Sequence, residues 1–154
     1  MGARSGGGGA GGMGSGVAGR MRKDYASGIE SDLAFTTPGG AVGKLVGNTA
    51  DEAIGELKET LKGIKDVKSV KDINAFSTNV DKAFGKAQQK IGEKEKLLEW
   101  NSQFATGKAK NTYKQALNAL SDAKYTIYSA SKKGYGSAKL IPLNGQLIKQ
   151  GKWS

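Results

Sequence analysis

Apolar residues recur at steps of three and four through the middle of the chain, with charged residues between them. Ile54, Leu57, Leu61 and Ile64 make the first such stripe, the spacing of one face of an α-helix. In front of it Thr49 and Glu52 form a T-x-x-E capping box, and Asp51 and Glu52 sit at the positive end of the helix dipole. A helix over 50–65 is expected, weakened by Gly55 and Gly63 at about 1 kcal/mol each relative to alanine. Ser69 and Asp72 offer a second, weaker cap, behind which Ile73, Phe76, Val80, Phe84, Ala87 and Ile91 keep helical spacing. Leu97 and Leu98 resume the pattern after the charged stretch GEKEK. This second helix spans 70–100, about 45 Å at the α-helical rise. Lys90 and Lys94 at its seam mark a solvated stretch or the point where a packing partner ends. A third helix is expected over 109–132, with Tyr113, Leu117, Leu120 and Ile127 as core stripe and Ala116, Ala123 and Ala130 widening the face. Small alanines permit close approach of a neighbouring helix. Lys132, Lys133 and then Gly134 supply a cationic last turn and a glycine stop.

After Gly134 the period changes. In KLIPLNGQLIKQ, Asn144-Gly145 separates two apolar runs, a strong short-range hairpin signal. A two-residue turn there sets Leu143 opposite Gln146 and Ile141 opposite Ile148. Pro142 cannot donate to a ladder, so its strand belongs at an edge. A lone hairpin is marginal in water and has to pack on the helices or join another subunit's sheet. The expected fold is therefore mainly α: two to three amphipathic helices in a hairpin or bundle, a C-terminal β-hairpin and a Gly-rich N-terminal arm. In residue numbers, 1–43 is a flexible or docking arm, 44–133 the helical body and 134–154 the hairpin segment.

Ten of the first nineteen residues are glycine, which leaves little to bury. Gly14, Gly16 and Gly19 fit G-x-G-x-x-G, but that fingerprint works only at a strand-to-helix turn where a helix N-terminus meets a pyrophosphate. SGGGGAGGM before it has no β-branched or aromatic residue, so the spacing reads as chance in a glycine-dense linker that tolerates serine at all three positions. GGAVGKL at 39–45 also misses a Walker A loop. Pro38 stands where the first glycine belongs and Leu45 where Ser or Thr would hold Mg²⁺. A Pro38-Gly39 turn closing the arm is the simpler reading. Ile29, Leu33 and Phe35 give the arm one apolar anchor.

Cysteine and histidine are both absent. Thiolate and imidazole metal sites, disulfides and Ser-His or Cys-His nucleophile pairs are thereby excluded. Neither a cofactor nor a metal is expected, and no enzymatic activity. Arg4 is followed by no leucine-rich segment, and Gly6 stands where a myristoylation motif needs Ser or Thr. No apolar run reaches the roughly 18–20 residues of a bilayer span, so a soluble chain in a virion or the cytoplasm is expected. The paired acids Glu56/Glu59 and Glu93/Glu95/Glu99 lie among lysines, the pattern of a solvated ion-paired face. Asp66-x-Lys68 and Asp122-x-Lys124 match a fragment of metal-dependent nucleases, but both lie in or beside helices rather than on the strand that chemistry needs.

Charge changes the picture more than composition does. Of the net +10, most falls at the end: residues 100–154 hold nine lysines against Asp122 alone. Such asymmetry points to an acidic partner. On the third helix Lys110, Lys114, Tyr125, Tyr128 and Lys132 fall within about 60° of one another, a stripe beside the core stripe, with Lys133 next to it. Lysines interleaved with aromatic rings neutralise phosphates while a ring stacks on a base or rests at a lipid headgroup; alternatively the rings widen the packed face. Every basic residue after Lys23 is lysine, without the arginine fork that reads bases, so nucleic-acid contact would be non-specific. These features suit a non-enzymatic structural or assembly protein, homo-oligomeric or part of a larger assembly, by analogy of class with virion components that sit against packaged DNA. A delivered effector or toxin domain and a binder of anionic membrane surfaces are the alternatives. Capsid and tail genes as neighbours would favour the first, an inhibitor gene the second.

Overall fold

The computed structural model describes residues 13, 14 and 16–154. Most of the glycine tract, and with it Gly2, Arg4 and Gly6, lies outside the described residues. The helical segments are α1 (Gly16–Ser27), the single turn α2 (Ile29–Asp32), α3 (Gly40–Val46), α4 (Thr49–Lys62), α5 (Val70–Ser102), α6 (Gly107–Ser131) and α7 (Ile141–Lys149). Among the described residues there is no strand.

The body is built as its apolar spacing requires. α4 buries Ile54, Leu57 and Leu61, and a 3₁₀ turn at Gly63–Asp66 buries Ile64. α5 buries Ile73, Phe76, Val80, Phe84, Ala87, Ile91 and Leu98, and packs against α4 on one side and α6 on the other. α5 runs without a break through the charged seam, with Ile91 and Leu98 buried on either side of it, and both neighbours supply counter-charges there. Lys90 Nζ lies 2.7 Å from Glu56 of α4, and Glu95 accepts from Lys124 of α6 at 2.9 Å. At the head of α5, Ser69 Oγ accepts the Asp72 N–H at 3.1 Å while Asp72 accepts the Lys68 N–H. The Val70 and Lys71 N–H groups donate to the carbonyls of Lys152 and Trp153, so the chain's last residues close the orphan donors of this helix end. The Thr49–Glu52 box, by contrast, does not form. Asn48 is the N-cap without a side-chain bond, and Asp51 takes a hydrogen bond from Thr37 instead.

Residues 134–154 correct the expected hairpin. Pro142 sits in the first turn of α7, where its missing N–H costs nothing. Leu140, Leu143 and Leu147 then fall on one face and are buried, while Ile141 and Ile148 face out. Gly151, at φ +71°, ends the helix, with its own N–H bonded to the Ile148 carbonyl and the Lys152 N–H to the Leu147 carbonyl. That is a Schellman motif. Asn144-Gly145 is thus mid-helix. The turn signal loses because a helix buries three leucines against α1 and α5, and a lone hairpin would have no sheet to join.

The N-terminal segment is folded onto the body from Gly16 onward. α1 buries Ala18, Gly19, Arg22 and Tyr25; Ile29 and Leu33 follow them inward, with Phe35 packed at the edge. Tyr25 makes edge contacts with Phe76 at 5.8 Å and Tyr135 at 5.2 Å. Its hydroxyl donates to the Tyr135 carbonyl at 2.7 Å, and the Tyr135 hydroxyl donates to Asp32. Arg22 is buried without a carboxylate. Its Nε donates to the Val67 carbonyl at 2.9 Å and its Nη1 to the Met13 carbonyl at 3.1 Å, and desolvation lowers its pKa.

Candidate polyanion interface

α6 turns its small and aliphatic residues inward. Ala116, Ala119, Leu120, Ala123, Ile127 and Ala130 are buried, and Tyr113 and Leu117 are half-buried at the margin. At 100° per residue, Lys110, Lys114, Tyr125, Tyr128 and Lys132 centre about 160° from that buried face. The stripe is therefore opposite the core rather than beside it. Tyr125 is 70% and Tyr128 51% exposed, so neither ring belongs to the packed face. Lys132 Nζ stands 5.0 Å over the Tyr128 ring, a cation held against a π-face.

The stripe is long and has two ends. Lys110 and Lys132 are 22 positions apart in sequence, about 33 Å along the axis. Asn118 and Ser121 fill the neutral middle. At the α6 N-terminal end, Ser102, Gly107, Lys110, Asn111, Lys114 and Leu117 line an open groove of about 520 Å³. Lys108 lies in the same first turn, exposed. Among the described residues, Lys108, Lys110, Lys114 and Lys132 form no ion pair. Lys133 leaves the group: it lies 3.6 Å from Asp32, the carboxylate that also holds Tyr135.

Of the seventeen other lysines, five form ion pairs: Lys58, Lys62, Lys90, Lys124 and Lys133. Lys58 and Lys62 both reach Glu30 at 3.3 Å, and Lys90 reaches Glu56. Hydrogen bonds from Lys58 and Lys62 hold the Glu30 carboxyl below its ordinary range, and one from Lys90 does the same for Glu56. Among the described residues no three acids gather as a metal would require. Asp66 lies in a 3₁₀ turn and Asp122 in α6, and Lys124 is tied to Glu95.

The two glycine near-motifs have packing explanations. A Cβ at Gly19 would stand 2.5 Å from the Gly14 carbonyl oxygen, and one at Gly43 2.1 Å from that of Pro38. In each case a preceding carbonyl lies over the first turn of a helix, and Gly16 and Gly19 are helical rather than slack linker; Ser15 lies outside the described residues. The linker expectation is corrected here.

Spacing alone gave no sign of Trp100 and Phe104, which stand where the α5 stripe stops. They are 60% and 72% exposed, with ring centroids 5.7 Å apart. Comparison with family models, with curated proteins and with solved structures gives no match to this chain. No helix among the described residues is long and apolar enough to cross a membrane.

Proposed function

We propose that this is a non-enzymatic binding and assembly protein whose α6 face contacts nucleic acid without regard to sequence. The observation that carries the reading is the exposure of Tyr125 and Tyr128 on a helix face that also holds Lys110, Lys114 and Lys132 with no acid paired to them. The two rings stand on the side opposite the core and outside its packing, and offer bases a stacking surface. The lysines supply phosphate contacts as point charges, and the absence of arginine beyond Arg22 leaves no fork to read base edges. Outward Ile141 and Ile148 on α7 give an assembly component further apolar surface.

The test is binding to duplex and single-stranded DNA across a salt series. Three phosphates neutralised by Lys110, Lys114 and Lys132 give a slope of log K against log salt of about −2.7 on duplex. Changing Lys110, Lys114 and Lys132 to Gln flattens it by roughly one unit per contact. Changing Tyr125 and Tyr128 to Leu weakens single-strand binding about tenfold or more, leaves the slope alone and leaves the melting temperature alone, because both rings are exposed. Unchanged affinity and slope in the triple lysine variant would sink the reading.

A further inference from the structure

The turn joining α5 to α6 carries a second surface of different chemistry. Leu97, Trp100 and Phe104 are 51%, 60% and 72% exposed. Leu97 and Trp100 share one side of α5 at i, i+3, and Phe104 sets its ring edge-on to Trp100. The first turn of α4 ends its cover here: Thr49 and Glu52 share a groove with Lys90, Lys94 and Leu97, so Trp100 and Phe104 stand beyond it. From Leu97 to Ser121 the chain has Lys108, Lys110 and Lys114 against one acid, the exposed Glu99.

We infer that this turn is an anchor for an anionic phospholipid bilayer: Trp100, Phe104 and Leu97 enter the interfacial layer while Lys108, Lys110 and Lys114 meet the headgroup phosphates. Three features favour a bilayer over a protein partner. Tryptophan is the side chain most at home at the membrane interface, with an apolar ring and one N–H to keep wet. An aromatic turn bordered by unpaired lysines matches an apolar layer under a negative surface. The apolar residues also sit at one end of a long hairpin, a shape that dips into a bilayer and has little area to offer a flat protein face. The surface goes beyond the nucleic-acid reading, because neither Trp100, Phe104 nor Leu97 belongs to the tyrosine stripe.

The experiment uses the full chain carrying Trp153→Phe, which leaves Trp100 as the sole tryptophan of the two in the sequence. Its emission is followed on titration with phosphatidylcholine vesicles containing about one third phosphatidylserine, and with pure phosphatidylcholine. A blue shift, quenched by bromine placed high on the acyl chains, is expected with the anionic vesicles and is absent with the neutral ones. In cosedimentation, Trp100→Ala with Phe104→Ala weakens binding by at least about tenfold, and Lys108→Gln by about fivefold. The aromatic double variant keeps its melting temperature, since neither ring is buried, and keeps its salt slope on duplex DNA. Emission unmoved at saturating anionic vesicles overturns the inference. So does a blue shift that appears with protein concentration alone, which would give the turn to a second copy of the chain. Loss of DNA binding in Trp100→Ala, Phe104→Ala without vesicle binding in the parent would hand the turn to nucleic acid. The lysine and tyrosine variants of α6 measured on DNA report separately on the reading proposed above.

Discussion

Replacing Gly145 by alanine distinguishes a helical C-terminus from a hairpin by the sign of the effect. Gly145 lies in the middle of α7 on its exposed side, with nothing within 4 Å of where a Cβ would stand. It is not among the glycines with positive φ. Alanine there restricts the unfolded chain and raises helix propensity, a gain of about 0.5–1 kcal/mol. Unfolding entropy near 2.1 cal/mol/K per residue gives about 0.3 kcal/mol per degree for a chain of this length, so Tm should rise by about 2–3 °C. In a two-residue hairpin turn the same position needs positive φ, and alanine would cost about 1 kcal/mol or more, lowering Tm by about 3 °C or more. Gly134 is the internal control. Its φ is +84°, and a Cβ would stand 3.0 Å from that of Ala138; alanine there should lose about 1–2 kcal/mol. Thermal melts of the parent and the two variants, followed by circular dichroism in one buffer, decide the matter. If Gly145→Ala falls alongside Gly134→Ala, the helical assignment of 141–149 is wrong.

Gly19→Ser should cost about 1–3 kcal/mol and several degrees of Tm, because the new Cβ meets the Gly14 backbone and not a side chain that can turn away; a melt equal to the parent's would show that the Met13–Gly14 segment does not lie over α1. Burial raises the Tyr25 and Tyr135 phenols above the ordinary tyrosine value, with the Asp32 carboxylate adding to the effect at Tyr135. The neutral forms are the ones the fold favours, so their contribution is complete below about pH 10 and lost as pH rises above it. The urea midpoint should therefore fall in that range, and Tyr25→Phe should make the fall shallower while costing about 1 kcal/mol at neutral pH through the lost bond to the Tyr135 carbonyl.

The long helices were legible because their stripes are long. Over thirty residues of α5, one register of Ile, Phe, Val and Leu permits a single face, and the Ser69 cap marks its start. α7 is nine residues, too short for periodicity to outweigh one turn dipeptide. The deciding signs were nevertheless present: Pro142 fits a first helical turn, Gly151 a stop, and Leu140, Leu143 and Leu147 a single face. α1 was hidden for a different reason. Its inward positions are Ala18, Gly19, Arg22 and Tyr25, and no hydropathy pattern marks arginine and glycine as interior. Only the folded chain provides the Val67 and Met13 carbonyls that make a buried guanidinium tolerable. On α6 the angular grouping of lysines and tyrosines could be read from sequence, but its distance from the core could not, because the core face is centred on alanines that carry a weak apolar signal.

Two pairs of lysines show how this chain distributes charge. Lys58 and Lys62 are neighbours at i, i+4 on α4, an arrangement that costs an isolated helix about 0.2–0.5 kcal/mol. Glu30 of α2 lies 3.3 Å from both, so the repulsion is converted into a clasp between two elements. Lys110 and Lys114 stand at the same spacing on α6, and no acid among the described residues reaches either. The nearest sequence acid on that helix is Asp122, two turns on. Glutamate at a neighbouring solvent position would relieve the repulsion and add a helix-stabilising pair at little cost to packing, since Asn111, Gln115 and Asn118 are exposed. The chain places Asn111, Gln115 and Asn118 around the two lysines instead. A face that forgoes available pairs and keeps like charges together holds a positive potential in reserve. The same helix leaves Tyr125 and Tyr128 in water. Neither choice is explained by the packing of the isolated fold, and both fit the nucleic-acid contact proposed above.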